Sequence, residues 1–470
     1  MKQYSMIAFA VALVAAGCKD NPVANPIDAP TVDALSGGLT RTSLQQLATG
    51  VTAQDRAGFA TSAYLIIPEV YARDVYRIDA SEPRWVLETL AGNPDPGSFA
   101  GGGGFTDFFV GIRSANTILL SLQTPDPSQF SAAEADAARG FFRTMKALDY
   151  YRLIELRDTV GIPIQTDDPA AVTDIRCKTA VLGFIAALLD SANADLTAAG
   201  GATSLPFKLP TGFSAFGRDY NVVSNLILFN RGLKGKVDFY RALDRTNPQA
   251  ALFQTAINEL TQALGGAAPG AVPASQLSVG VYYKFVPGGS ENFANIRSDS
   301  KIGLNPLVID SVQAGDTRGS KVVSRTVLAG NGLSTTITFS GSVPTPANEA
   351  LPIALLKDEE LVLLRAQAEI GAGQLAAATL DINSVRTTYG LPPYAVFTTQ
   401  AAAIDAVLYE KRFSLLFEGP QRLVDLRGYG RLNGTYFRQE LPTDPFNAAM
   451  PIPRAELNAR GLTTNPACTP

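Results

Sequence analysis

Apolar residues recur every three or four positions in block after block, and this periodicity limits the possible folds more than any single motif. Phe108, Ile112, Ala115, Ile118/Leu119 and Leu122 make one run, and Phe141, Met145, Leu148 and Tyr151 make the next. Such spacing puts the side chains on one face of a helix. Further runs begin near Leu44 and cover Asn221 to Leu243 and Phe253 to Leu264. Leu361, Leu364 and Ala368 lead to a Gly371-Ala372-Gly373 break, after which Leu375, Ala378, Ile382 and Val385 resume the period. This pair matches the size of a tetratricopeptide unit, about 34 residues, and equally that of a generic helical hairpin.

The stretch from Asp74 to Gly104 is loop-like, with Gly92 to Gly97 dense in turn residues. The run Gly101 to Gly104 lacks the lysine and hydroxyl of a phosphate-cradling loop and is expected to be a flexible surface loop. Residues 269–346 change texture. Val279, Val281, Tyr283 and Phe285 alternate, as do Ile337 and Phe339 with Thr336, Thr338 and Ser340. Alternation of this kind predicts short strands or extended loops, inserted between two helical blocks. A chain of 470 residues is expected to form one large or two intimately packed domains.

Composition excludes several chemistries. The chain has no histidine, so histidine triads, histidine metal ligands and imidazole acid–base catalysis are ruled out. A net charge of -4 with 17% charged residues offers no basic field for nucleic acid. No metal site or cofactor is expected. Asp167-Asp168 and Asp358-Glu359-Glu360 are too sparse for a calcium loop, and the second cluster reads as the acidic start of a helix.

The first residues address the chain. After Lys2, Met6 to Gly17 is apolar, small-residued and uncharged. It is too short for a membrane span, which needs about 20 apolar residues, but has the length of a secretory signal. Ala15-Ala16-Gly17-Cys18 resembles a bacterial lipoprotein signal, with Ala15 where leucine is usual. The expected mature protein therefore begins at lipidated Cys18, with residues 1–17 removed and 18–36 a polar, proline-punctuated tether. Two or three acyl chains give a stable anchor where one would not. No second stretch is expected to cross a membrane. In an exported protein Cys177 and Cys468 could form a disulfide, the alternative being two unpaired thiols.

The segment from Tyr409 to Gly430 contains Glu410-Lys411-Arg412, Leu416-Phe417-Glu418-Gly419 and Arg422-Leu423-Val424-Asp425-Leu426-Arg427. It resembles the signature of the SusD-like (RagB-type) nutrient-binding lipoproteins. Ser414-Leu415, Pro420 and Gly428 depart from the residues common there. Blocks in the same order extend the resemblance over nearly the whole mature chain: Arg113 to Leu119, Ala137 to Arg143, Leu364 to Glu369, Ile382 to Arg386 and Met450 to Leu457. In the signature, Tyr409, Phe413 and Leu416 share one helical face, with Glu410, Lys411 and Arg412 off it. Glu418, Arg422, Asp425 and Arg427 are expected in a following turn. A glycosidase would need two carboxylates facing a cleft. The interleaved arginines instead predict structural ion pairs with depressed carboxylate pKa values, and no catalytic residue is assigned.

The resemblance implies a mainly α fold for residues 37–470. Tetratricopeptide-like helix pairs would carry irregular loops and a few short strands. It further implies capture of an oligosaccharide or peptide at the outer membrane, and delivery to a TonB-dependent, SusC-like transporter. An exported structural or assembly lipoprotein is the alternative, and a glycan-processing enzyme is a weaker one. Sugar binding favours exposed aromatic faces, which nominates Trp85, Tyr71, Tyr76 and Tyr283, with Arg73 and Arg84 nearby and Tyr282 and Phe285 in the insert. Trp85, the only tryptophan, reads more readily as a partly buried packing residue than as a ligand contact.

Overall fold

Wherever the sequence shows a 3.6-residue apolar period, the chain is helical. The computed structural model describes residues 38–469 apart from 169–170, 202, 246, 289–292, 438–439 and 442–443; Cys18 and the tether lie outside the described residues. Ten helices of eight or more residues are described: α1 (Arg41–Phe59), α2 (Thr106–Ser121), α3 (Ala132–Arg157), α4 (Lys178–Ala199), α5 (Val223–Ala242), α6 (Leu252–Ala263), α7 (Asp358–Gly371), α8 (Leu375–Thr388), α9 (Gln400–Ser414) and α10 (Gln421–Gly428). The short helix α11 (Arg454–Ala459) follows.

Each helix from α1 to α8 packs on the one before and the one after, and α9 returns onto both α7 and α8. This is the antiparallel stacking of helix pairs found in helical-repeat proteins. The α6–α7 contact is informative. About ninety residues separate the two helices, yet they pack directly, so the insert interrupts the sequence but leaves the stack continuous. Close approach depends on small residues. A Cβ at Gly140 on α3 would lie 2.5 Å from Leu196 Cγ on α4.

Helix ends follow local chemistry. Thr40 and Ser131 each make a capping box, at the starts of α1 and α3. The acidic start of α7 is where the sequence places it, but Asp358, Glu359 and Glu360 are buried and paired with Arg218, Lys357 and Lys236.

The strands form two-stranded antiparallel pairs: β1 (Val75–Arg77) with β5 (Ile302–Leu304), β2 (Ile162–Pro163) with β3 (Ile175–Arg176), β4 (Gly280–Tyr283) with β8 (Ile353–Lys357), and β6 (Val322–Gly330) with β7 (Leu333–Phe339). The β6–β7 hairpin turns on Asn331-Gly332, both at positive φ, 53° and 86°. Two consecutive residues at positive φ define the turn that best matches strand twist.

Three expectations are corrected. Residues 421–428 form helix α10, not a turn, because Leu423, Val424 and Leu426 are buried and hold the segment against the core. The glycine run is pinned, since buried Arg157 donates to the carbonyls of Gly103 and Gly104, each at 2.7 Å. Finally, α4 is long and apolar enough to cross a membrane by length and composition, contrary to the sequence reading. Its apolarity follows from packing on both α3 and α5, with Val181, Leu182, Ile185, Leu189 and Leu196 buried.

The signature charges lie inside the protein. Glu410 is fully buried between Arg318 at 2.5 Å and Arg386 at 2.9 Å. Lys411 meets Asp425 at 2.9 Å, and Arg412 meets Asp74 at 2.6 Å. Glu418 pairs with Lys357 at 2.9 Å. Ion pairing is as expected, but the predicted direction of the pKa is wrong for Glu410. Burial raises it above the ordinary carboxylate value, and its arginines only oppose that rise.

Cys177, the residue before α4, is bonded to Cys468. Backbone bonds from Cys177 N to Thr469 O (2.8 Å) and from Thr469 N to Ile175 O (2.7 Å) flank the bridge. It therefore ties the C-terminal end to the middle of the chain.

Three outcomes follow for stability. The bridge closes a sequence separation of 291 residues, so reduction is expected to lower unfolding free energy by about 5 kcal/mol in the chain-entropy account. Urea titration with and without reductant measures this, and unchanged midpoints would contradict it. Removing one partner of a buried pair strands the other, so Glu410→Ala is expected to cost about 3–5 kcal/mol in the same assay. Glu369 is fully buried without a hydrogen-bond partner, and burial first, then Asp381, pushes its pKa up to about 8 against the opposing Arg365. Its folded pKa exceeds the unfolded one, so its effect on stability is neutral below about pH 4 and increasingly unfavourable as pH rises toward 8. Glu369→Gln is therefore expected to match wild type near pH 4 and be more stable near pH 8; equal midpoints at both would count against this assignment.

A candidate ligand-binding cleft

The four aromatic residues nominated from the sequence are buried and separately engaged. Trp85 is 5% exposed, edge-on to Phe99 at 4.8 Å, with the Arg77 guanidinium 4.2 Å from its ring centre. Tyr76 donates to Glu440 Oε1 at 3.1 Å. Tyr71 is buried with its hydroxyl unpartnered. Tyr283 lies in a different buried cluster, where its hydroxyl donates to Asp55 and its ring sits 5.5 Å from Phe59. None of the four offers an open ring face in this conformation. Of their neighbours, Arg73 pairs with Glu440 and Asp444, and Arg84 with Glu82. Tyr282 stacks on Phe216 at 4.1 Å and Phe285 on Phe293 at 6.1 Å.

Among the described residues, a concavity of ligand size lies elsewhere. A cleft of about 720 Å³ opens between α2, α3, α11 and residues 163–168 and 171–173. Its size falls within the usual range for small-molecule sites. Helix α2 buries Phe108, Ile112, Ala115 and Ile118 in the core and turns Phe109, Arg113, Asn116 and Leu120 to the cleft. Helix α3 sends Arg139, Arg143 and Lys146 into it. Their i, i+4, i+7 spacing aligns them on one helical face.

Chemically the lining is mixed. Phe105 and Phe109 stand 4.8 Å apart, and Phe109 is half-buried with an edge toward Tyr150. Leu120 and Val172 are 58% and 70% exposed at the cleft. Asn116 donates to Thr166 O at 3.0 Å, while its carbonyl oxygen is buried without a partner among the described residues. Thr106, Gln123 and Thr173 add hydrogen-bonding groups. Apolar faces beside convergent polar groups suit a polyhydroxylated ligand. Sequence inspection passed over this site because Arg113, Asn116, Arg139 and Arg143 stood out only as parts of family-like blocks. The signal that could have found it is the cationic stripe 139, 143, 146, three positive residues on one face of a helix.

Comparisons with known proteins agree with the geometry at the level of fold. The SusD family model matches residues 360–466, which span α7 to α11. No curated protein matches the chain. Among solved structures, a SusD superfamily protein from Bacteroides fragilis NCTC 9343 superposes with a TM-score of 0.65 at 14% identity, covering 92% of this chain and 99% of its own. Surface glycan-binding protein A from Bacteroides uniformis gives 0.62 at 15% identity, with 85% and 92% covered. A SusD-like carbohydrate-binding protein from Bacteroides vulgatus ATCC 8482 gives 0.57 at 13% identity, with 82% and 83% covered. The SusD family's model thus matches the C-terminal segment of this chain, and over nearly its whole length the fold is similar to that of solved SusD superfamily structures.

Proposed function

We propose that this chain is a cell-surface lipoprotein that captures a glycan in the α2–α3 cleft and passes it to a TonB-dependent outer-membrane transporter. The observation that carries the reading is the joint occurrence of the SusD family match and a cleft of ligand size with apolar and hydrogen-bonding walls. Two of the similar structures are of proteins named for glycan or carbohydrate binding. Lipid on Cys18 would hold the protein at the membrane.

Binding is favoured over hydrolysis. Glu410, Glu418 and Asp425 are each held by a cation within the fold and lie away from the cleft. A glycosidase needs two such carboxylates across a substrate, and these three are committed to structure. Trp85, Tyr71, Tyr76 and Tyr283 keep a place in this proposal as support for the loops they pack, or as contacts uncovered by loop movement.

The test is purification of the tagged, full-length protein from outer membranes. Co-elution of a large TonB-dependent barrel is expected, and Cys18→Ala should move the protein into the soluble fraction. Isolation without a transporter under several nutrient conditions, or membrane retention of the Cys18 variant, would overturn the reading.

A further inference from the structure

The cleft holds five cationic side chains, Arg113, Arg139, Arg143, Lys146 and Arg460, against three acidic ones, Asp167, Asp168 and Glu456. Four of the cations are already engaged. Arg139 pairs with Asp136 and donates to Leu122 O; Arg143 pairs with Asp195. Lys146 meets Asp167 at 2.7 Å, and Arg460 meets Glu456 at 2.7 Å and Thr173 O at 2.6 Å. Arg113 differs. It is exposed at the cleft and, among the described residues, makes no side-chain hydrogen bond or ion pair.

Counted with Asp136 and Asp195, which hold Arg139 and Arg143, the charges around the cleft balance, and what remains is a guanidinium with no partner among the described residues. Its planar fork of donors matches an acidic group with two oxygens. Asn116 lies one turn along the same helix face and Thr106 two turns back along the helix, where each can meet hydroxyls further along a glycan. Leu120, two turns along the same helix, and Val172 are exposed at the cleft and offer apolar surface for the less polar face of a sugar ring.

We infer that the cleft is selective for an anionic glycan, one whose carboxylate or sulfate group sits on Arg113. This rests on the proposal that the cleft is the glycan site. It adds a substrate class that the fold alone does not specify.

The experiment is a glycan array with the purified mature protein, carrying neutral, uronic-acid-bearing and sulfated oligosaccharides, followed by calorimetry on the hits. Arg113→Ala and Arg113→Lys are compared with wild type at low and high salt, with thermal unfolding as the check on folding. Preferential binding of acidic glycans is expected, and the array arms tell carboxylate from sulfate. Arg113→Ala should weaken that binding by about tenfold or more, the range of a charge-assisted hydrogen bond, with partial retention in Arg113→Lys and weaker binding at high salt. Equal or better binding of neutral glycans would overturn the inference and leave the glycan-capture proposal standing. Acidic binding unchanged in Arg113→Ala would overturn the role of Arg113. Binding to no glycan in any arm would overturn the capture proposal itself.

Discussion

Three consecutive charged residues on α9 hold the C-terminal half of this protein together. Glu410, Lys411 and Arg412 point in directions about 100° apart around the helix, and each meets a different part of the fold. Glu410 engages Arg318 in the insert and Arg386 on α8, Lys411 engages Asp425 on α10, and Arg412 engages Asp74 just before β1. Charges removed from water are costly unless paired with good geometry. The requirement to pair all three therefore fixes the insert, the helix hairpin and the N-terminal half relative to α9 at once. Such a network contributes specificity of arrangement more than net stability, and the apolar stack from α1 to α8 supplies the burial.

That division of labour bears on function. The charges in the signature are spent on architecture, with partners at 2.5 to 2.9 Å, so they are poor candidates for chemistry on a ligand. The cleft shows the opposite economy. Its walls come from the α2–α3 pair, packed on α1 and α4, and its guanidinium on Arg113 has no partner among the described residues. A rigid scaffold presenting an unsatisfied group is what ligand recognition requires.

Much of the fold was legible from residues alone. The 3.6-residue period located α2, α3, α5, α6, α7 and α8, because core-facing side chains in stacked helices must recur at that interval. The alternation at 279–285 and 336–340 marked β4 and β7 for the equivalent reason in strands. Burial of charge was not legible. The sequence predicts ion pairing in the signature but not the partners or the depth: Arg318 and Asp425 are distant or nonconsecutive in sequence from Glu410 and Lys411, and only the fold brings them together. The same limit hid the pinning of Gly103 and Gly104 by Arg157. It also hid the cleft, whose walls are drawn from four separated segments. Aromatic content pointed to Trp85 and three tyrosines, yet large rings are as useful for filling a core as for stacking on a sugar, and these four fill the core.

The central claim is that ligand is held between α2 and α3. Hydrogen exchange of the purified protein, with and without an oligosaccharide it binds, tests this most directly. Protection concentrated in 106–121, 139–146 and 163–173 is the predicted result. Protection confined to the segments around Trp85 or Tyr283, with the cleft unchanged, would contradict it.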